Sequence, residues 1–272
     1  MSPSATVDAH PVHAHLRAHR SIRRYLPDPV TDDVLGRILE SALRASSSGN
    51  MQSWSVVVTR DRALRERLLE PHMGQPMVLE APVLLTFCSD FHRMRRWLAL
   101  SDAADGFDDP FACAVGAIDA ALASQNAALA AEAEGLGICY LGSTLANADA
   151  IARILELPEQ VVPVVGFVLG HAAEDPAPRD RLPLDGLVHY ETYRRPDDDA
   201  VRTLYEHRET AGWARYLSNP DLRRRVEESG VRNLAQIYSQ LKYTRADHAV
   251  FTANLANALR QQRFLPEVRD RA

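Results

Sequence analysis

One stretch, Asp109–Ser143, limits the folds open to this chain more than any other. Asp109 and Pro110 are typical of a helix start, because a carboxylate accepts orphan N–H groups and a proline in the first turn loses no hydrogen bond. The run Phe111–Glu134 consists almost entirely of helix formers, and Gly135 supplies a stop. The sequence therefore predicts a helix roughly 35 Å long, enough to cross a domain.

Large and small apolar residues recur along this predicted helix at helical spacing. The large residues are Val115, Ile118, Leu122 and Leu129, and the small residues are Ala112, Gly116, Ala120, Ala123 and Ala127. Because small side chains let another backbone approach closely, we expect the helix to be buried, with the small strip a candidate contact for a second copy. Polar residues such as Asp119 interrupt the helix, so it is not expected to span a membrane.

The glycine-rich run Gly135–Ser143 follows the helix and predicts a turn and a short strand. Such a stretch can bring bare backbone N–H groups up to a flat ligand. A helix–turn–strand corner, with glycines there only for packing, is the alternative.

The composition narrows the functional classes. A net charge of -5 argues against nucleic acid as the main partner. The N-terminus lacks the apolar core of a signal peptide and no stretch is long enough for a membrane span, so we expect no membrane partner. The three cysteines are scattered and form neither a metal pattern nor a disulfide framework, which favours a reducing cytoplasm.

The remaining chain alternates short elements. Residues Met1–Ala9 are expected to be unstructured, and a first helix is expected to end over His19–Tyr25. Strands are predicted at Trp54–Thr59, Val83–Ser89 and Val161–Gly170; Pro163 in the last indicates an edge strand or a bulge. From about Asp197 the composition shifts to charged, arginine-rich helix.

Two basic segments lie far apart in the sequence. Arg20 and Arg23 enclose Ser21, a set that suits a phosphate and an adjacent polar ring edge, although a solvated basic helix end is an alternative. Arg179 and Arg181 flank an aspartate between prolines, which restrict the freedom that solvated arginines usually keep.

Taken in order, these motifs carry a family resemblance. His-Arg-Ser-Ile-Arg, a serine-rich loop, Gly-Gln, Gly-Leu-Gly-Ile-Cys-Tyr-Leu-Gly and Arg-Asp-Arg-Leu-Pro occur in that sequence. The chain resembles the FMN-dependent nitroreductase and flavin reductase family, most closely its NADPH-dependent, oxygen-insensitive nitroreductase branch. The match covers about residues 15–195. We therefore expect an FMN-binding core at 1–195 and a helical extension at 196–272, packed on the core or on a partner subunit.

The resemblance implies an α+β fold, a sandwich with a small, mostly antiparallel sheet flanked by helices, assembled as an intertwined homodimer with FMN at the dimer interface. By motif, the phosphate would be held by His19, Arg20, Ser21, Arg179 and Arg181, and Arg23 would lie near N1 and O2 of the ring. Ser47 and Ser48 would reach the cofactor from the opposite subunit, and Gln75 would bond the pyrimidine edge. The ring would be lined by Tyr140, Leu141, Gly142 and Ser143.

The chain departs from that branch at two of these positions. The branch usually has lysine at the position of Arg179, and the near absence of lysine from this chain makes a charge-conserving change the simplest account. It also tends to have glycine at the position of Ser143. These differences leave the choice of substrate more open than the binding of FMN.

The sequence shows no Ser-His-Asp order, no metal cluster and no obvious paired carboxylates. A flavin enzyme needs none of these, because the ring accepts and returns the electrons. We expect NADPH (or NADH) to donate a hydride to flavin N5, and nitroaromatics, quinones or other small flat acceptors to be reduced next. The alternatives are a flavin reductase that supplies reduced FMN to a monooxygenase, and a non-catalytic FMN-binding protein.

Overall fold

The computed structural model describes residues 10–265, so the expectation for Met1–Ala9 lies outside the described residues. The chain forms two compact units. Unit 1 holds the residues up to Ala177 and those from Phe251 onward, and unit 2 holds Pro178–Val250. This division into compact units does not test which residues bind FMN. The FMN-binding core at 1–195 and the helical extension at 196–272 therefore stay a prediction.

Unit 1 is built on one four-stranded antiparallel sheet with the strand order β1-β2-β4-β3. The strands are β1 (Trp54–Thr59), β2 (Val83–Asp90), β3 (Gly137–Leu141) and β4 (Val161–Gly170). This small antiparallel sheet with its helices confirms the predicted α+β class. Pro163 lies in an internal strand opposite Cys88, where the register shifts between Phe87 and Cys88, so the bulge is the correct alternative and the edge strand is not.

Nine helices lie wholly or partly in the described part of unit 1, apart from short 3-10 turns. They are α1 (Pro11–Ala18), α2 (Asp32–Leu43), α3 (Arg62–Leu69), α4 (Met77–Glu80), α5 (His92–Leu100), α6 (Pro110–Ala133), α7 (Ser143–Ala146), α8 (Ala148–Ile154) and the later part of α12 (Arg245–Gln261). None of the helices formed by residues 10–265 is long and apolar enough to cross a membrane.

The long helix α6 begins and ends where the sequence predicts. Asp109 Oδ1 accepts a hydrogen bond from the Ala112 N–H at 2.8 Å, and Pro110 occupies the first turn. Gly135 follows the helix with φ of 79°, a left-handed conformation that a residue with a Cβ adopts only with strain.

The small strip of α6 is buried against the sheet of its own chain. A Cβ on Gly116 would clash with Ser89 Oγ and lie 2.7 Å from Ser53 O, and Ala120 packs in the same core as Phe87. The expected contact of this strip with a second copy is therefore wrong, because its own sheet already covers it. The larger side chains point away instead: Phe111, Ile118 and Leu122 are 76%, 58% and 42% exposed.

The segment His19–Tyr25 is extended and does not end a helix, since α1 stops at Ala18. Ser21 forms a parallel bridge with Ile138, and the Ile22 N–H donates to Ile138 O at 2.8 Å. The apolar Ile22 is buried here, so packing on the sheet outweighs the local preference for helix.

Unit 2 is helical. Its helices are α9 (Asp198–Ser218), α10 (Pro220–Ser229), α11 (Leu234–Gln236), a π-helical turn at Ile237–Lys242 and the first residues of α12. Its own small core contains Tyr216, Val226 and Ile237. The single lysine of the chain, Lys242, lies 5.7 to 6.0 Å from the ring centres of three tyrosines of this unit.

Candidate functional site

The first predicted phosphate segment runs beside the glycine-rich strand. The bridge between Ser21 and Ile138 aligns His19–Arg23 with β3, and the Tyr25 hydroxyl donates to Ile22 O at 2.6 Å. Two of the motifs that the sequence suggested, about 115 residues apart, are thus neighbours in unit 1.

The arginines of this segment meet carboxylates of the loop after β4. Arg20 Nη2 lies 2.6 Å from Asp175 Oδ1, and the Asp175 side chain is 80% exposed. Such an exposed pair contributes about 0–1 kcal/mol, so a dianionic phosphate can replace the aspartate. Glu174 Oε1 accepts from the main-chain N–H groups of Arg23 and Arg24 at 2.5 and 3.2 Å, and Nη1 of the exposed Arg23 side chain donates to Ser21 O at 3.4 Å.

His19 lines a groove of about 240 Å³ together with Arg20, Gly137 and Glu174. Its Nδ1 lies 2.7 Å from Glu132 Oε1. Nδ1 of His19 is therefore engaged by a carboxylate of α6. The phosphate-binding role of His19 stays a prediction.

Gln75 and Ser143, which the sequence places in one site, contact each other directly. Gln75 Nε2 donates to Ser143 Oγ at 3.1 Å and to His72 O at 3.0 Å. His72 Nδ1 completes the cluster at 2.9 Å from Ser143 Oγ. The cluster joins the turn after α3 to the end of β3.

His72 is a member of this cluster that sequence reasoning missed. It is fully buried, and burial lowers the pKa of its imidazole from 6.5 to about 4. The ring is therefore neutral at neutral pH. The only local signal was a lone histidine three residues before Gln75, and its partner Ser143 is distant in the sequence.

The side chains of Tyr140 and Leu141 are directed into the protein. The Tyr140 hydroxyl lies 3.2 Å from Ser124 Oγ on α6, and burial raises its pKa to about 12. Leu141 is buried in a second apolar cluster. Gly142 is exposed, and a Cβ there would meet nothing within 4 Å. At this strand end the main chain, rather than the two large side chains, is available to a ligand.

The serine loop is tied to the middle of α6 by a buried carboxylate. Asp119 accepts from the Ser47 hydroxyl at 2.7 Å, the Ser48 N–H at 3.0 Å and the Ser53 hydroxyl at 3.0 Å. Asp119 has no exposed surface. From the sequence, Asp119 is predicted only to interrupt an apolar helix, although a carboxylate in such a helix also signals a buried polar contact.

The second predicted phosphate segment lies in unit 2. Asp180 is held by Arg208 and Arg215, at 3.4 and 3.6 Å, so these two arginines are engaged within the unit. Arg181 is exposed and its Nη1 donates to Arg179 O at 3.1 Å; the Arg179 side chain is also exposed. The convergence of Arg179 and Arg181 with Arg20 stays a prediction.

The residues of unit 1 fit an FMN molecule in their chemistry. Arg20 offers a cation whose present partner is a solvated carboxylate, Gln75 offers an amide, and Gly142 leaves open space beside the main chain. The three cysteines do not offer a thiol-based reaction as an alternative to flavin chemistry. Burial raises the pKa values of Cys88, Cys113 and Cys139 above their ordinary range, so their thiols stay protonated.

Comparison with known proteins identifies the family to which this chain belongs. Residues 16–171 match the family model described as the nitroreductase family, which is more than half of the chain. The chain belongs to the nitroreductase family, and the resemblance inferred from its motifs is confirmed.

Two relatives and one solved structure illustrate the similarity. The FMN reductase [NAD(P)H] of Bacillus subtilis (strain 168) is 34% identical, over 79% of this chain and 95% of the relative. The oxygen-insensitive NADPH nitroreductase of Salmonella typhimurium is 37% identical, over 70% of this chain and 78% of the relative. A Bacteroides fragilis structure assigned as an oxidoreductase superposes with a TM-score of 0.85 at 37% identity, covering 93% of this chain and all of the other.

Proposed function

We propose that this chain is an FMN-dependent NAD(P)H oxidoreductase that reduces nitroaromatics, quinones or other flat electron acceptors by a ping-pong cycle through flavin N5. Membership of the nitroreductase family and relatives named as NAD(P)H-dependent FMN reductase and NADPH nitroreductase support the flavin chemistry. The observation that carries the proposal is the assembly, within unit 1, of His19–Arg23 beside β3 and of Gln75 against Ser143.

FMN, when bound, supplies the hydride and electron transfer. The protein binds and orients it. His19, Arg20 and Ser21 are proposed to hold the phosphate, as are Arg179 and Arg181 by the family resemblance. Charge-assisted hydrogen bonds of this kind are worth about 1.5–3 kcal/mol each, which is enough for retention without a covalent link.

Arg23 and Gln75 are proposed to face the pyrimidine side of the ring. The Arg23 guanidinium is exposed, so it can offset negative charge that gathers on that side during reduction. Tyr140 and Leu141 direct their side chains inward, so with Gly142 they would present main-chain groups to the ring. Ser143 acts through its contact with Gln75.

We further propose a homodimer. The outward ridge of α6, formed by Phe111, Ile118 and Leu122, is apolar and exposed in the single chain. An apolar stripe on a long helix is typical of an interface between subunits. In such a dimer, Ser47 and Ser48 of one copy are proposed to reach the cofactor of the other, as the family resemblance implies. We also propose a reducing compartment, the cytoplasm, because all three cysteines are free thiols.

A flavin reductase is the second candidate function, because the Bacillus subtilis relative carries that name. The two functions differ in their dependence on free flavin. Steady-state NADPH and NADH oxidation is measured with a nitroaromatic or a quinone, with and without added FMN. An oxidoreductase with resident FMN needs the acceptor alone and gives parallel double-reciprocal plots. A requirement for added FMN favours the flavin reductase, and no turnover with any acceptor favours a non-catalytic FMN-binding protein.

A further inference from the structure

We propose that His72 and Ser143 are positioning residues that hold the Gln75 side chain with its carbonyl oxygen, Oε1, turned toward the ligand. The inference rests on the proposed function, because it assigns Gln75 to the flavin site. It adds the chemical group of FMN that Gln75 recognises and the two residues that determine this choice.

The orientation of the Gln75 amide follows from its partners. The main-chain oxygen of His72 can only accept, so the Gln75 atom 3.0 Å away must be the NH2 group. The same nitrogen lies 3.1 Å from Ser143 Oγ, so both amide hydrogens are used inside the protein. Among residues 10–265, no donor reaches Oε1. Gln75 therefore offers a ligand an acceptor and no donor.

The Ser143 hydroxyl relays this orientation to His72. It accepts from Gln75, and the one acceptor in reach of its own proton, in the part of the chain that the structure describes, is His72 Nδ1 at 2.9 Å. With Nδ1 unprotonated, the Ser143 proton has an acceptor; the ring proton then lies on Nε2, a buried atom that has no hydrogen-bond partner among residues 10–265. Hydrogen bonds then run in one direction, from Gln75 through Ser143 to His72.

Burial makes this arrangement rigid. His72 is 0% and Ser143 is 4% exposed. The His72 N–H donates to Leu68 O at 3.1 Å, and His72 O also accepts the Gln75 main-chain N–H at 3.2 Å, so the turn that carries Gln75 is fixed at both ends. Without the hydroxyl at position 143, one amide hydrogen of Gln75 would lose its partner and the amide could turn over.

The polarity of Gln75 selects one group of an oxidised flavin. On the pyrimidine edge the two carbonyl oxygens accept hydrogen bonds, and N3–H between them is the donor. An amide that can only accept matches N3–H and mismatches the carbonyl groups. The nitroreductase branch that this chain resembles tends to have glycine at position 143. Glycine has no hydroxyl, so it cannot hold the Gln75 amide in this orientation.

The test compares two flavins on flavin-free protein. FMN and 3-methyl-FMN, in which a methyl group replaces the N3 hydrogen, are titrated separately, and each Kd is taken from flavin fluorescence quenching. The unsubstituted chain should bind FMN at least about tenfold more tightly than 3-methyl-FMN, the effect of one well-placed hydrogen bond. Ser143→Ala and His72→Leu should bring that ratio toward one.

Two further variants serve as controls. His72→Asn keeps an acceptor near the position of Nδ1 and should keep most of the discrimination. Thr144→Val changes the neighbouring buried residue, whose hydroxyl has no partner among the described residues, and should leave the ratio unchanged.

Each contrary result has its own meaning. Equal ratios in Ser143→Ala and in the unsubstituted chain overturn the positioning role, as does an unsubstituted chain that binds both flavins equally. A chain that binds neither flavin contradicts the proposed function instead. If His72→Leu does not fold, Ser143→Ala, which removes a single oxygen, decides between these outcomes.

Discussion

At the scale of single residues, the candidate site depends on polar groups that are buried and used inside the protein. Asp119 accepts three hydrogen bonds that shape the serine loop, and His72 contacts the serine that holds Gln75. Neither is proposed to touch the cofactor. Asp119 and His72 instead hold in place residues that are proposed to touch the cofactor. Removing either side chain should therefore change cofactor binding by changing the positions of those residues.

The buried His72 makes the stability of the protein depend on pH. Its pKa falls from 6.5 to about 4 on burial, so between these values the unfolded chain takes up a proton that the native chain excludes. His72 therefore lowers the free energy of unfolding as pH falls through this range, by about 1.4 kcal/mol per pH unit, and has no such effect above it. In His72→Asn this contribution should be absent. Urea unfolding midpoints measured from pH 7 to 4.5 check it; equal slopes in the two proteins would contradict it.

Asp119→Ala should loosen the serine loop. Three donors would be left without their acceptor. The buried Ser53 hydroxyl would cost about 1–3 kcal/mol, whereas Ser47 and Ser48 are half-buried and can turn to water. Hydrogen exchange of the amides in residues 46–53 should accelerate strongly in this variant, whereas strand β4 should remain protected. Unchanged exchange in the loop would show that Asp119 does not hold it.

At the scale of elements, the sequence predicts the positions of most helices and strands because their signals are local. Asp109, Pro110 and Gly135 bound α6, and Val161–Gly170 is a strand with the same limits in the structure. His19–Tyr25 follows a predicted helix, yet it is extended because Ile22 and Ser21 find partners on β3. That information lies about 115 residues away, and local propensity does not contain it.

Tertiary contacts also decide two further features that the sequence alone does not predict: how the site residues meet, and what packs on the small strip of α6. The motifs indicate Gln75 and Ser143, but the contact between them and the histidine behind them is a tertiary property. The small strip on α6 signals a close backbone approach, and the sequence does not say whether the approaching backbone belongs to the same chain. In the structure it is the sheet of the same chain, near Ser53 and Ser89.

Two glycine substitutions separate close packing from helix propensity. Gly116→Ala should destabilise by about 1–3 kcal/mol, because its Cβ would clash with Ser89 on the neighbouring strand. Gly36→Ala, inside α2 with nothing within 4 Å of the new Cβ, should stabilise by up to about 1 kcal/mol. Thermal unfolding of both variants provides the comparison. A Gly116→Ala protein as stable as Gly36→Ala would contradict the close approach of α6 to the sheet.

At the scale of the whole molecule, unit 1 carries most of the residues proposed to bind the cofactor and leaves an apolar ridge on its longest helix exposed in the single chain. Phe111, Ile118 and Leu122 form this ridge. We expect the ridge to be buried in a homodimer, in which the second copy supplies the serine loop to the site.

Ile118→Glu should convert the dimer to a monomer, because a charge placed in an apolar interface is desolvated without a partner. The residue is 58% exposed in the single chain, so the substitution should leave the fold intact. Light scattering after size-exclusion chromatography gives the mass, and Ile118→Val is the matched control. A dimer that survives Ile118→Glu at low micromolar concentration would place the interface elsewhere.

The central claim is that this member of the nitroreductase family carries FMN and passes electrons from a nicotinamide nucleotide through it. The most direct measurement is the absorbance spectrum of the purified chain during anaerobic titration with NADPH and, separately, NADH. The account predicts a flavin spectrum that bleaches with one nucleotide per bound FMN and returns when a nitroaromatic or a quinone is added. A protein that binds no flavin, or a bound flavin that neither nucleotide bleaches, would contradict it.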